Sequence, residues 1–417
     1  MNQFELAKKI LLKIVLEDTN FNLAKRNAYH KYNIDPVTRS NINALLGCEL
    51  RHHYVCDNLI ARFFDDVEFG KTIYLRFAIV NHQFMRRFSE QELMKLAKED
   101  LDPEKVQALI NFIDSTHEII PQELDKTSPE FLALRYNTPS WVIRMWQKQY
   151  GKGLVFKVLK ANYRQSIPCF RVNTNKINLD DFVAKHPDYS KSPIEGMIVY
   201  QGREGSKPLE ELKTREIFQM RMATKYVLDQ LDLDPFKGIA IYSEVKNNML
   251  LDLMIRFGNE LNLDLIINLP SFYFETRRFV QENGLPHTYV YESTASGLIT
   301  CLSKKVHTSI CMPKSTVLDN LRSSPDYFLR VKQEQLDEVI AYETDALEEA
   351  SKFVELDGEL VYMIPTLCRK ESNNLVANFL VKHPEFTLVE ERQFFPFEIY
   401  DSCLYYARLK KVEEPSD

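Results

Sequence analysis

The sequence predicts an all-helical amino-terminal domain, a small α+β module behind it, and a carboxyl-terminal α/β domain with a mostly parallel sheet. Three observations predict this order. Apolar residues recur at three- and four-residue spacing from Met1 to about Pro121, the mark of helices that each bury one face. The tract from Ile119 to Pro129 is rich in proline and charge, which suits a linker. From about Phe218 to Lys411 short apolar runs alternate with amphipathic stretches, and that alternation builds a sheet covered on both faces.

The first helix is carried by Phe4, Leu6, Ala7, Ile10, Leu11, Ile14 and Val15, and a later one by Ile42, Leu45, Leu46 and Leu50. Cys48, His52 and Cys56 fall four residues apart with His53 adjacent, which would align them on one helical face. A single rigid helix rarely supplies three ligands to one tetrahedral ion, so packing is expected there and no metal. Trp141 and Trp146 are expected to anchor a domain junction, with base stacking the alternative. Strands are expected over Gly238 to Tyr242, Asp264 to Leu269, Ser309 to Cys311, Gly358 to Ile364 and Cys403 to Leu409, and helices over Asn248 to Asn259 and Gln333 to Phe353. A doubly covered sheet of this kind is Rossmann-like, with its working face at the carboxyl ends of the strands.

Composition narrows the function classes. The chain has 417 residues, 45% apolar and 27% charged, so it is globular and built from more than one domain. No run is apolar enough for a membrane span. The stretch from Glu5 to Leu16 reads as an amphipathic helix rather than a signal peptide. Seven cysteines without paired spacing suit reduced thiols and a cytoplasmic protein. The net charge of -6 gives a nucleic-acid role no support by itself.

Several tracts carry a family resemblance. They are Cys311-Met312-Pro313-Lys314-Ser315, Ser324-Pro325-Asp326, Gly358 through Thr366, Glu371-Ser372-Asn373-Asn374 and His383-Pro384-Glu385-Phe386. Ahead of them stand Pro139-Ser140-Trp141 with Tyr150-Gly151, then Arg171-Val172-Asn173 with Lys176. Near the amino terminus lie Asn43 through His52 and Asp57 through Ile60. In order and spacing the chain resembles the bacterial RNA cytosine-5 methyltransferase family, of the type fused to a NusB-like RNA-binding domain. The resemblance implies a NusB-like helical domain over residues 1–120, a connecting RNA-recognition-like module over 128–215, and a class I methyltransferase domain over 216–411. It also implies RNA as partner, rRNA above all, with Arg51, Arg171, Asn173 and Lys176 as contacts, and S-adenosylmethionine as cofactor. No DNA or membrane partner is expected, and a ribosomal or transcription-complex protein is a possible one.

The departures fall where that family's chemistry needs particular atoms. The family's two cysteines, in tracts of the form Asp-Ala-Pro-Cys-Ser and Tyr-Ser-Thr-Cys-Ser, fall on Lys314 and Pro365. A thiolate adds to the pyrimidine in this reaction, so covalent catalysis needs sulfur there. The cofactor tract, Asp-x-Cys-Ala-Ala-Pro-Gly-Gly-Lys, puts its aspartate at Ile241 and its glycines at Asn247 and Asn248. The acid expected to hold the ribose falls on Asn268. Cys311 and Cys368 each stand three residues from a vacant position, roughly 10 Å of extended chain. Lys246, Lys304, Lys305 and Lys314 form either a basic patch or a scattered solvated set. The expectation is therefore a catalytically inactive RNA-binding protein acting in rRNA binding, ribosome assembly or antitermination-like regulation, with no catalytic, cofactor-binding or metal residues. An active methyltransferase with diverged motifs and a protein-interaction module without an RNA role are the alternatives.

Overall fold

The computed structural model describes residues 2–116, 118–164, 167–202, 209–316, 322 and 324–414. The chain divides into two compact units, one of Met1–Arg164 with Asn320–Gln333 and one of Gln165–Asp319 with Glu334–Asp417.

The first unit is helical: α1 Gln3–Leu16, α2 Phe21–Tyr32, α3 Pro36–Arg51, α4 His53–Ala61, α5 Phe69–Val80, α6 Glu90–Asp100, α7 Pro103–Ser115, α8 Pro129–Tyr136, α9 Ser140–Tyr150 and α10 Lys152–Asn162. Side-chain caps start many of them. Asn2 accepts from the Phe4 N–H, Asp35 from Val37 and Thr38, and Asp102 from Glu104 and Lys105, which satisfies donors that a helix start leaves unpaired. The apolar stripe read from α1 is the buried one, with Phe4, Leu6, Ala7, Ile10, Leu11 and Ile14 all in the core. The helix expected to align Cys48, His52 and Cys56 breaks at His52, whose φ of −124° and ψ of 18° end α3 before α4 begins. Asn137, in the left-handed region at the end of α8, fixes this break: its amide donates to the Leu50 carbonyl and its oxygen accepts from the Tyr54 N–H. Ile119 and Ile120, in the proline-rich tract, are buried.

The second unit opens with β1 Cys169–Val172, α11 Leu179–Lys185, β2 Tyr189–Lys191, β3 Met197–Tyr200, α12 Leu209–Lys213 and β4 Ile217–Gln219. These strands form an antiparallel sheet in the order β2-β3-β1-β4 over a core of Phe170, Val172, Phe182, Tyr189, Ile198 and Ile217. After α13 Met222–Gln230 come β5 Ile239–Ser243, α14 Met249–Phe257, β6 Leu263–Ile267, α15 Pro270–Asn283, β7 Thr288–Glu292, α16 Leu298–Cys301 and β8 Val306–Met312. Residues of Asn320–Gln333, including α17 Tyr327–Arg330, then belong to the helical unit. There Asp326, fully buried, accepts from the Phe21 N–H at 3.0 Å and pairs with Arg330. The second unit closes with α18 Leu336–Ser351, β9 Val354–Ile364, α19 Asn373–Lys382, β10 Phe386–Gln393 and β11 Tyr405–Lys411.

The larger sheet has the order β10-β11-β9-β8-β5-β6-β7. Strands β7, β6, β5, β8 and β9 are parallel, and β11 runs antiparallel to both β9 and β10. Alternation along each strand feeds two apolar layers. Ile239, Ile241, Ile310, Met312, Val361 and Met363 pack with Met249 and Leu253 of α14. Ala240, Tyr242, Cys311, Leu360 and Tyr362 pack with Ala346 and Leu347 of α18 and Phe379 of α19. All five strands expected from the sequence are present, β9 longer than expected because it continues through Asp357 and Gly358. A Cβ on Gly358 would meet the His307 carbonyl at 2.6 Å, so glycine lets β9 pass β8 at its register shift.

Candidate functional site

In an open α/β sheet the working crevice lies at the carboxyl ends of the strands where the strand order reverses. Here that point is between β5 and β8, the two neighbours whose connections run to opposite sides. Glu244, the residue after β5, occupies it. Its backbone N–H donates to the Met312 carbonyl at 3.0 Å. One carboxylate oxygen accepts from the Tyr342 hydroxyl at 2.7 Å and from the Asn268 amide; the other accepts from the Lys314 N–H at 2.8 Å. Tyr342 also bonds the Tyr242 hydroxyl at 3.0 Å. Burial pushes the Tyr342 phenol up to about 12, so it stays a donor at neutral pH. Glu244 thus ties together the ends of β5, β6 and β8 and the helix α18.

The loop after Glu244 is closed by its own side chains. Asn247 donates to the Ser243 hydroxyl and the Val245 carbonyl and accepts from the Met249 N–H at the start of α14. Asn248 donates to the Gln219 carbonyl and has a φ of −120°. Neither asparagine has the positive φ that glycine would permit. Ile241 lies in the middle of β5 in the apolar layer under α14.

Across the crevice the two cysteine-equivalent positions separate. Lys314 is exposed while Pro365 is buried. Around Pro365 a second carboxylate acts as a hub. Glu371, fully buried, accepts from the Thr316 N–H at 2.8 Å, the Thr316 hydroxyl at 2.5 Å and the Thr366 hydroxyl at 2.6 Å. Its backbone carbonyl accepts from the Tyr362 hydroxyl at 2.9 Å. Glu343 of α18 is buried close by. Burial first, and then the charge of Glu371, push the Glu343 carboxyl up to about 11, so it is protonated at neutral pH. The two cysteines nearest in sequence to the vacant positions are inert by environment. Cys311 sits inside the sheet between Tyr242 and Tyr362, fully buried, with its thiol pushed up by burial. Cys368 is fully buried and its thiol is pushed up to about 12 by burial. A nucleophilic thiolate needs the opposite shift.

The side chains expected to touch RNA are placed as follows. Arg171 is 8% exposed, and its Nε pairs at 2.7 Å with Asp252, itself fully buried. Its Nη1 donates to the carbonyls of Val172 and Gly196, and a Cβ on Gly196 would collide with the guanidinium. Asn173 is buried, its amide donating to the Arg215 carbonyl at 3.0 Å. Both side chains are thus engaged by partners within the protein. Lys176 is exposed, its ammonium on the Thr214 carbonyl at 2.7 Å. Arg51 is half-buried and donates to the Gly47 carbonyl at 3.2 Å.

Of the four lysines, Lys246 pairs with Glu275 and Lys305 with Glu414. Lys304 and Lys305 precede β8 whereas Lys314 follows it, so the set spans opposite ends of the sheet. Trp146 is a core residue, 1% exposed. Among the described residues no group of His, Cys, Asp and Glu could hold a metal ion, and no helix is long and apolar enough to cross a membrane.

No family model matches the sequence, and neither does any curated protein. Solved structures do. One described as PH0851 covers 99% of this chain and 99% of its own, with a TM-score of 0.76 at 17% identity. A methyltransferase homolog protein from Pyrococcus horikoshii covers 69% of this chain and 100% of its own, at 0.59 and 15%. NSun6 from Pyrococcus horikoshii, solved with SFG, covers 67% and 100%, at 0.59 and 12%. The chain has a methyltransferase-type fold. At these identities the likeness is one of fold, which agrees with the Rossmann-like domain and helical amino-terminal region read from the sequence.

Sequence reading missed Glu244, Tyr342, Glu343 and the hub role of Glu371. A signal existed only for Glu244. In the register that sets the family's glycines on Asn247 and Asn248, Glu244 stands at an alanine position, so a carboxylate replaces a methyl group at the switch point.

Proposed function

We propose that this chain is an RNA-binding protein built on an RNA methyltransferase fold, and that it grips RNA without transferring methyl groups. The observation that carries the reading is the Glu244 network. A carboxylate bridging Asn268, Tyr342 and the Lys314 N–H stands where the fold would seat its methyl donor.

The described residues do not fit S-adenosylmethionine. The donors that would greet its carboxylate and ribose are already satisfied within the protein: the Met249 N–H by Asn247 and the Asn268 amide by Glu244. Glu244 and Asn247 would have to leave their partners for the donor to enter. With Lys314 and Pro365 at the cysteine positions, the covalent step also lacks its nucleophile. In this proposal the working divisions are a NusB-like domain over 1–120, an RNA-recognition-like module over 128–215 and the methyltransferase-type domain over 216–411. The partner is RNA, rRNA first, in the cytoplasm, during ribosome assembly or antitermination-like regulation beside a ribosomal or transcription-complex protein.

Calorimetry of the full chain against S-adenosylmethionine tests the reading. No heat of binding is expected at millimolar ligand. Micromolar affinity, or labelled methyl groups appearing on RNA incubated with the purified protein, would overturn the inactive part of it. Absence of any RNA binding would overturn the rest.

A further inference from the structure

The helical unit carries a row of touching aromatic rings that the site above does not use. Phe84 stacks on His52, with ring centroids 3.6 Å apart and planes 17° from parallel. His52 meets Tyr163 edge-on at 5.8 Å, Tyr163 meets Tyr136 at 5.9 Å, and Tyr136 meets Phe156 at 6.1 Å. The row ends in solvent: Phe84 is 39%, Tyr163 41% and Phe156 47% exposed. Between Phe84 and Tyr163 lies a cavity of about 290 Å³, which His52, Glu118 and Arg135 also line.

Local chemistry holds the rings in place. Nδ1 of His52 bonds the Cys48 carbonyl at 2.8 Å and Nε2 meets the Tyr163 hydroxyl. Burial holds the imidazole down to about 4, so the ring is neutral, with Nδ1 the donor and Nε2 the acceptor. Phe84 stands on the π-turn Asn81–Met85, a helix irregularity that recurs at functional sites.

Basic residues predominate in the sequence that carries Tyr136, Phe156 and Tyr163. From Phe131 to Arg164 the sequence has seven Lys or Arg residues and no Asp or Glu, inside a chain whose net charge is -6. On α10 and the turn after it, Lys152, Phe156, Lys160 and Tyr163 follow at four-, four- and three-residue spacing, all exposed. Such spacing puts them on one helical face. Glu118 is the acid that lines the cavity; Arg51 and Arg135 both act electrostatically on His52 and Tyr163.

We infer that this row is a stacking platform for the unpaired bases of single-stranded RNA, with a base against Phe84 and Tyr163, another on Phe156, and the backbone tracked by Lys152, Lys160 and Arg135. Cations interleaved with rings along one face are what sequence-tolerant single-strand binding requires, because every base offers a π-face and every nucleotide a phosphate. A peptide partner of purely apolar character would leave the lysines between the rings unmatched. The inference rests on the RNA-binding reading above and assigns the surface and the form of RNA that it takes.

The test uses the full chain and fluorescein-labelled twelve-nucleotide oligouridylate and oligoadenylate, read by anisotropy beside a duplex of equal length. The wild type is expected to prefer the single strands. Phe156→Ala and Phe84→Ala, both at exposed positions, should each weaken single-strand binding about tenfold or more, and Lys160→Ala should flatten the dependence of affinity on salt. Phe156→Tyr should keep the affinity, whereas Phe156→Leu should lose it as the alanine variant does. Tight single-strand binding that survives Phe156→Ala and Phe84→Ala overturns the platform while leaving the RNA reading intact. Leucine performing as well as phenylalanine marks an apolar contact and overturns it too. A wild type that binds no RNA overturns both readings.

Discussion

Glu343 offers the sharpest physical test, because it is a buried carboxyl set near Glu371, Tyr362 and Cys311. Its folded pKa of about 11 lies above the ordinary 4.5. The folded chain therefore keeps a proton that the unfolded chain releases as pH rises past the usual carboxylate range. A raised folded pKa means that the stabilising contribution is full below about 4.5 and is lost progressively up to about 11. Glu343→Gln copies the protonated shape and does not titrate. Each pH unit inside that window should then favour the variant over the wild type by somewhat over 1 kcal/mol, giving about 4 kcal/mol between pH 5 and pH 8. Urea unfolding followed by circular dichroism at pH 5, 6.5 and 8 measures this. Any difference in amide packing shifts the two curves by a constant, so the widening gap is the diagnostic quantity. Parallel pH profiles for the two proteins would refute the reasoning, since they would mean that Glu343 ionises in the fold as easily as in water.

Two further outcomes follow from buried chemistry. Arg171→Met removes the arginine held at 2.7 Å from the buried Asp252 carboxylate and leaves Arg256 at 2.6 Å, so it should cost about 2 kcal/mol; RNA affinity measured below the unfolding transition should keep its salt slope, and a slope reduced by about one unit would instead mark Arg171 as a phosphate contact. Cys311 and Cys368, both fully buried with raised thiol pKa values, should resist iodoacetamide at pH 7.5 in the native protein and react after unfolding; rapid native alkylation of either, mapped by peptide mass spectrometry, would contradict their placement.

The periodic parts of the fold were legible because apolar spacing reports burial directly. The stripe of α1 and the cores of β5, β6, β8, β9 and β11 are cases where one face, or both, is buried along the whole element. β7 and β10 escaped notice because they are the two edge strands, and β10 exposes much of its length, Thr387 to Val389 included. The start of β9 was hidden by Asp357-Gly358, a pair that reads as a turn and here crosses a register shift. At the site, the missing thiols and glycines could be read from single positions. What replaced them could not, since the partners of Glu244 lie 24, 70 and 98 residues away in sequence and spacing carries no trace of such contacts. Arg171 shows the complementary case. Its tract was found by resemblance, but a motif says which residue is present and not whether its guanidinium faces solvent or a buried Asp252.

The excursion of Asn320–Gln333 into the helical unit makes both units discontinuous in sequence. The Phe21 N–H waits for a carboxylate made 305 residues later, so on the ribosome the amino-terminal helices emerge long before their last buried acceptor exists. A helical unit cut off after Arg164 would be born with that N–H unmet and with the Ala161 carbonyl lacking the Arg322 donors that reach it at 2.7 and 3.0 Å. Completion of the earliest-synthesised unit is thereby coupled to translation of most of the later one, and the two cannot mature in strict amino-to-carboxyl order.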